Sequence, residues 1–192
     1  MFDELNNLKL FFEEPTREFG VREAARLLKL SPATASTRLK EFSKEGILKE
    51  RADHNLLLFR ANIEDDGYKD LKVYYNIRKL KGSGLITALD DFYLRPTIVL
   101  FGSMSFGMDA QGSDCDLLII SENTKEFKDL KKFEAKLRRP IQLHVYKNIS
   151  DIPNTHLISN ILNGIRLQGR VSWTSPNALE KALSGRQKST KN

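Results

Sequence analysis

The stretch Val99–Ile120 reads VLFGSMSFGMDAQGSDCDLLII, two apolar runs around a loop that opens with Gly102–Ser103 and closes with Asp114-Cys115-Asp116. Carboxylates beside apolar strands are costly unless something pairs with them. TIVLF and DLLII read as short buried strands, and strand side chains alternate between faces. Asp114 and Asp116 therefore share one face and Cys115 takes the other. Two neighbouring carboxylates repel each other, and a divalent cation between them removes the repulsion. Hard oxygen ligands suit Mg²⁺ or Mn²⁺, ions that commonly also bind substrate phosphates. Gly102 lets the backbone approach a phosphate closely, and Ser103 adds a hydroxyl donor.

Outward from this stretch the hydrophobic period keeps switching. LITALDDFYL, stopped before Pro96, reads as a helix. Residues 124–138 read as another, with Phe127, Leu130, Phe133 and Leu137 turned inward. IQLHVY is a third strand, and residues 155–163 read as helical. Strands alternating with helices predict an α/β domain. A short helix is expected around Leu179–Leu183, followed by a polar, basic end.

The first sixty residues follow a different plan. Leu5, Leu8 and Phe12 stand at helical spacing over 3–13. Gly20 opens a second helix with Val21, Ala24, Ala25 and Leu28 on its inner face. Ser31 and Pro32 are an N-cap and a first helical residue, and the third helix turns Ala35, Leu39 and Phe42 inward before ending at Gly46. ILKERADHNLLLF then reads as strand Ile47–Arg51, a turn at Asp53–Asn55, and strand Leu56–Arg60. The charged stretch 63–84 contains a boundary at Asp65-Asp66-Gly67 and a helix carrying Leu71, Tyr74, Tyr75 and Ile77. It is either a stiff spacer or part of the second domain's core.

On VREAARLLKLSPATASTRLKEFSKEGIL the N-terminal third resembles the prokaryotic winged helix-turn-helix regulators. That resemblance implies DNA binding. Ser31, Thr34, Ser36, Thr37, Arg38 and Lys40 would lie on the recognition helix, and Arg51 and Arg60, with His54 and Asn55, on the wing. An ordinary solvated helix face, with a hairpin used for docking, is the competing reading, and Glu41, Glu45 and Glu50 dilute the basic surface.

Gly-Ser, ten residues, then Asp-x-Asp between apolar strands resembles the nucleotidyltransferase superfamily of DNA polymerase β, in its minimal branch, over roughly residues 85–150. The resemblance implies a nucleoside triphosphate, expected to be ATP, with its phosphates on Gly102–Ser103 and metal on Asp114 and Asp116. An acceptor hydroxyl would attack the α-phosphorus and pyrophosphate would leave. The family carries a third carboxylate on a later strand. PIQLHVY offers Gln142 and His144 on one face instead. Three readings stay open: Gln142 or His144 acts as a weaker ligand or base; Asp91 or Asp109 stands in; or catalysis is lost and nucleotide binding remains. Arg138, Arg139 and Lys147 flank this strand and are candidate contacts to a triphosphate or an acidic acceptor.

The expected architecture is thus a two-domain α+β/α/β chain: a winged helix-turn-helix at 1–62, a helical connector at 63–84, a nucleotidyltransferase-fold mixed sheet flanked by helices at 85–175, and a basic tail at 176–192. In 192 residues there is a single cysteine, which excludes an internal disulfide, and three histidines argue against a structural zinc site. No apolar run approaches a membrane span, and the acidic, amphipathic start does not read as a signal peptide, so a cytosolic protein is expected. A net charge of +6 suits an anionic partner. Relatives in the minimal branch often act as antitoxins that transfer AMP to a partner toxin, which makes such a protein an expected partner. The other expectations are a regulator that only senses nucleotide and a transferase that modifies nucleic acid. Winged-helix proteins commonly dimerise, so a homodimer is a candidate state.

Overall fold

The computed structural model describes residues 2–170. The segment around Leu179–Leu183 and the tail 176–192 lie outside them. Among the described residues there are seven helices and two sheets.

Helix α1 (Phe2–Glu13) is followed by a two-residue strand β1 (Phe19–Gly20), helices α2 (Val21–Leu28) and α3 (Pro32–Lys44), and a hairpin of β2 (Leu48–Asp53) and β3 (Leu56–Ala61). The Ser31 hydroxyl accepts from the Thr34 amide at 3.1 Å, so the expected cap fixes the start of α3. Leu5, Leu8, Phe12, Ala24, Ala35, Leu39 and Phe42 are buried, as the helical spacing required. The hairpin turn is tighter than expected, with Asp53 as the last residue of β2 and His54 at φ +53°. Strand β1 was not legible: two residues carry no alternation. It joins the hairpin at the outer side of β3, pairing Phe19 with Phe59 to give the order β1–β3–β2.

The stretch 63–84 contains one long helix, α4 (Asp66–Ser83), capped by the Asp65 carboxylate on the Tyr68 amide at 2.8 Å. It belongs to both halves of the molecule. Tyr68 is buried in the N-terminal core with Phe11, Phe12 and Phe59, while Leu80 is buried in the core beneath the second sheet.

The second sheet is mixed, in the order β6–β5–β4–β7. After α5 (Leu85–Tyr93), β4 (Thr97–Phe101) pairs antiparallel with β5 (Cys115–Ile120). Strand β6 (Ile141–Tyr146) pairs parallel with β5, which needs the crossover through α6 (Leu130–Leu137). Helix α7 (Thr155–Leu162) leads to β7 (Ile165–Gln168), an edge strand on β4 too short to show a period of its own. Both faces of the sheet are covered. Ile98, Leu100, Cys115, Leu117 and Ile119 face α4, α5 and α6, while Val99, Phe101 and Leu118 face Ile149, Ile152 and Ile161. Double burial explains why β4 reads as an unbroken apolar run.

The helix expected at 124–138 begins only at Leu130. The preceding residues are held by side chains: Asn123 accepts from the Lys125 amide and donates to the Phe92 carbonyl, and the Tyr93 hydroxyl donates to the Lys125 carbonyl. Phe127 still turns inward, against Phe92 at 5.3 Å, but from a loop.

Candidate active site

Strands β4 and β5 and the loop between them bring the opening stretch together at one end of the sheet. Gly102 ends β4 at φ 72°, ψ −163°, a conformation essentially reserved for glycine. Its carbonyl accepts from the Ser105 amide at 3.1 Å and the Ser105 hydroxyl at 2.7 Å, winding Ser103–Phe106 into a short 3₁₀ turn. The Met108 amide closes back on the Ser103 carbonyl at 3.0 Å. Asp116 lies across from Phe101 in the ladder. A Cβ at residue 102 would stand 2.5 Å from Asp116 Oδ2, so the turn and the carboxylate meet only because Gly102 has no side chain.

The other end of the loop is set by a turn in which the Ala110 amide donates to the Ser113 hydroxyl at 2.9 Å. Asp114 follows. The Cys115 amide then donates to the Pro140 carbonyl at 2.9 Å and starts the parallel ladder. Cys115 is fully buried in the core, with its thiol pushed up to about 12 by burial. Asp114 and Asp116 are half-buried.

In the parallel register Gln142 stands opposite Asp116 and His144 opposite Leu118. Gln142 Nε2 donates to Asp114 Oδ2. His144 Nε2 lies 3.9 Å from Asp116 Oδ1, and its ring sits 5.2 Å from that of Phe101. Gly102, Asp114, Asp116, Gln142 and His144 are thus brought together by the ends of β4 and β5 and by β6, with Ser103 next to Gly102 at the start of the 3₁₀ turn. Burial pushes the Asp116 carboxyl above the usual carboxylate range; the His144 side chain opposes this and the Asp114 charge adds to it. Two carboxylates whose charges oppose each other are a pair that a cation would relieve, and both side chains offer hard oxygen donors. The donor set therefore fits a divalent ion held by Asp114 and Asp116, with further ligands from water and substrate. Among the described residues no group of three or more His, Cys, Asp and Glu side chains is placed to hold a metal.

Neither alternative acid completes the pair. Asp109 is buried and engaged by Asn76 at 2.8 Å and Arg139 at 3.1 Å. Asp91 is exposed on α5, near the start of β4, whereas Gly102 lies at its end. Of the cations expected nearby, Arg138 is exposed, Arg139 is committed to Asp109, and Lys147 lies 3.9 Å from Glu122. The sequence reading missed Lys72 and Asn76, which hold the site loop from behind. Their signal is in the helical period: they occupy the buried stripe Tyr68, Lys72, Asn76, Leu80, where apolar residues are the rule.

In the N-terminal unit, Thr34, Thr37, Arg38 and Lys40 are exposed on α3, and Ser36 is half-buried. Ser31 and Thr34 share a hydrogen bond of 2.8 Å, the Thr37 hydroxyl donates to the Ala33 carbonyl at 3.2 Å, and Arg38 reaches Glu41 at 3.3 Å. On the hairpin Arg51 is gripped by Glu18 at 2.7 and 3.2 Å, while Arg60, His54 and Asn55 are exposed. No helix among the described residues is long and apolar enough to cross a membrane.

Comparison with known proteins shows what this region is similar to. Residues 83–167 match the family model of the nucleotidyltransferase domain. A solved structure described as a toxin-antitoxin crystallised with AMP-PNP is similar over 59% of this chain and 88% of its own, at 23% identity and a TM-score of 0.42. No curated protein matches the chain.

Proposed function

We propose that the chain is a divalent-metal-dependent nucleotidyltransferase, with ATP as its expected donor, and that its N-terminal unit is a winged helix-turn-helix that binds DNA. The observation that carries the first part is the meeting of the Gly102–Ser103 turn with Asp114 and Asp116 at one sheet end, inside the region that matches the nucleotidyltransferase domain. The turn binds phosphate oxygens through its backbone and the Ser103 hydroxyl. Asp114 and Asp116 would hold Mg²⁺ or Mn²⁺, which when bound neutralises charge on the triphosphate. The acceptor hydroxyl oxygen bonds to the α-phosphorus, the bond from that phosphorus to the β-phosphate bridging oxygen breaks, and pyrophosphate departs with those electrons. His144, beside Asp116, takes the hydroxyl proton, a role open to a neutral imidazole near pH 7. Resemblance to the minimal branch points to a protein acceptor, a partner toxin.

A second reading has its own support. Gln142 stands where a third carboxylate is expected, and it donates to Asp114 rather than offering charge. This favours a DNA-binding regulator that senses a nucleotide without turning it over. Incubation with labelled ATP, CTP, GTP or UTP and Mg²⁺, with and without a candidate toxin or nucleic acid, separates the two. Metal-dependent incorporation abolished by Asp114→Ala with Asp116→Ala supports the transferase. No incorporation, with a nucleotide-dependent change in DNA affinity, supports the sensor.

The DNA proposal rests on the exposed hydroxyl and cationic side chains of α3. Binding should weaken with salt, and Arg38→Ala with Lys40→Ala should lower affinity and flatten that dependence. Unchanged affinity would refute this use of α3.

A further inference from the structure

Helix α4 carries a polar interruption in its buried stripe. Between Tyr68 in one core and Leu80 in the other stand Lys72 and Asn76, each 1% exposed. Lys72 Nζ donates to the Asp109 carbonyl and lies 3.6 Å from its carboxylate. Asn76 Nδ2 donates to Asp109 Oδ1 at 2.8 Å and to the Met104 carbonyl at 3.2 Å. Arg139, at the entry to β6, grips Asp109 Oδ2 at 3.1 Å from the far side. Between these anchors Gly107, at φ 66°, lies flat against the Lys69 carbonyl, where a side chain would collide with the helix backbone. The loop from Gly102 to Asp114 is therefore fastened to α4 at Met104, Gly107 and Asp109. Its two ends are the phosphate turn and the first metal-site carboxylate.

Stability alone does not account for this cluster. Burial pushes the Lys72 ammonium down and Asp109 draws it only part of the way back, so the charged pair does not recover its full desolvation cost. Apolar residues of similar volume commonly serve a fold as well or better. What hydrogen-bonded charges add is direction: they fix which atoms of the loop face the helix.

We infer that Lys72, Asn76 and Asp109 are positioning residues of the nucleotide site, with α4 serving as the template on which the Gly102–Asp114 loop is set. The inference rests on the transferase or sensor reading for what the site binds. It makes the working unit begin at α4, upstream of the residues that match the nucleotidyltransferase domain at 83–167.

Two variants of the full chain test it. Asn76→Leu removes both side-chain donations. Lys72→Met with Asp109→Leu and Arg139→Met replaces the charged cluster by apolar side chains, and is the comparison if the first loses its cooperative fold. Hydrogen exchange over residues 103–113 and affinity for MgATP are measured beside the unfolding transition. The expected result is a retained transition, with exchange of 103–113 accelerated about tenfold while the interiors of β4 and β5 stay protected. MgATP affinity should fall about tenfold or more, the usual effect of losing an outer-shell support. A merely structural role would shift the transition and leave the folded variant's loop exchange and MgATP affinity unchanged; that result overturns the inference. Should the unaltered chain bind no MgATP, the nucleotide reading itself falls, and loop exchange alone then decides whether α4 sets the loop.

Discussion

Replacing Gly102 with alanine separates backbone strain from site disruption. Residue 102 sits at φ 72°, ψ −163°, where a residue with a side chain pays about 1–3 kcal/mol. The new Cβ would also meet Asp116 Oδ2 at 2.5 Å and Cγ at 3.4 Å. Oδ2 is the free end of a rotatable side chain, so Asp116 swings away and the backbone stays. The contact therefore adds little to the loss of stability, and its cost falls on the site. Urea unfolding should show Gly102→Ala destabilised by about 1–3 kcal/mol, with binding of Mn²⁺ and MgATP reduced further than that loss explains. Repeating the substitution in an Asp116→Ala background apportions the effect: if strain is nearly all backbone, the two costs agree within about 0.5 kcal/mol. A Gly102→Ala chain as stable as the original would refute the reasoning, because residue 102 could not then hold this conformation.

Other outcomes follow from the same geometry. Because burial raises the Asp116 carboxyl, the folded chain keeps that proton to higher pH than the unfolded chain. Its contribution to stability therefore falls as pH rises from the ordinary carboxylate value through the raised one, and stays lower above it. Asp116→Asn should gain unfolding free energy over the original chain as pH rises above the ordinary carboxylate range; a difference that does not grow with pH refutes the assignment. Tyr68→Phe removes a 2.8 Å donation to the Phe11 carbonyl, whose ordinary helical partner would be residue 15, a proline without an N–H. The unpaired carbonyl should cost about 1–3 kcal/mol in thermal or urea unfolding, and a neutral result would show that α1 and α4 are not joined there. Cys115, fully buried and pushed up to about 12, should resist alkylation in the folded chain and react as the chain opens; rapid labelling under native conditions would place it elsewhere.

Much of this arrangement is written in local pattern. The cap at Ser31, the inward faces of α1 and α3, the apolar run of β4 and the shared face of Asp114 and Asp116 each follow from a period or a residue type that acts over a few positions. What escaped depends on partners far along the chain. Strand β1 exists because Phe19 and Gly20 meet Leu58 and Phe59, and β7 because Gly164 and Gly169 deliver four residues to the edge of β4. Helix α6 starts late because Asn123 and Tyr93 claim the backbone before it. Lys72 and Asn76 escaped for the same reason. A lysine on a charged helix reads as solvated until Asp109, 37 residues away, is folded against it.

Gln142 links the electrostatics of the site to its chemistry. A carboxylate at that register position would set a third negative charge beside Asp114 and Asp116, and burial and the Asp114 charge already raise the Asp116 carboxyl. The amide avoids that repulsion and satisfies Asp114 by donation, so the carboxylate pair is compatible with the folded chain before any cation arrives. The same substitution withdraws the group best suited to receive an acceptor proton, since a carboxamide has no useful basicity near neutral pH. Phosphoryl transfer can proceed largely on positioning and charge neutralisation, which the Gly102–Ser103 turn and the two aspartates would supply. Under the transferase reading, proton removal would fall to His144, the next residue on that face of β6. Under the transferase reading His144→Ala should lower turnover while leaving MgATP affinity in place; under the sensor reading it should change neither DNA affinity nor its response to nucleotide.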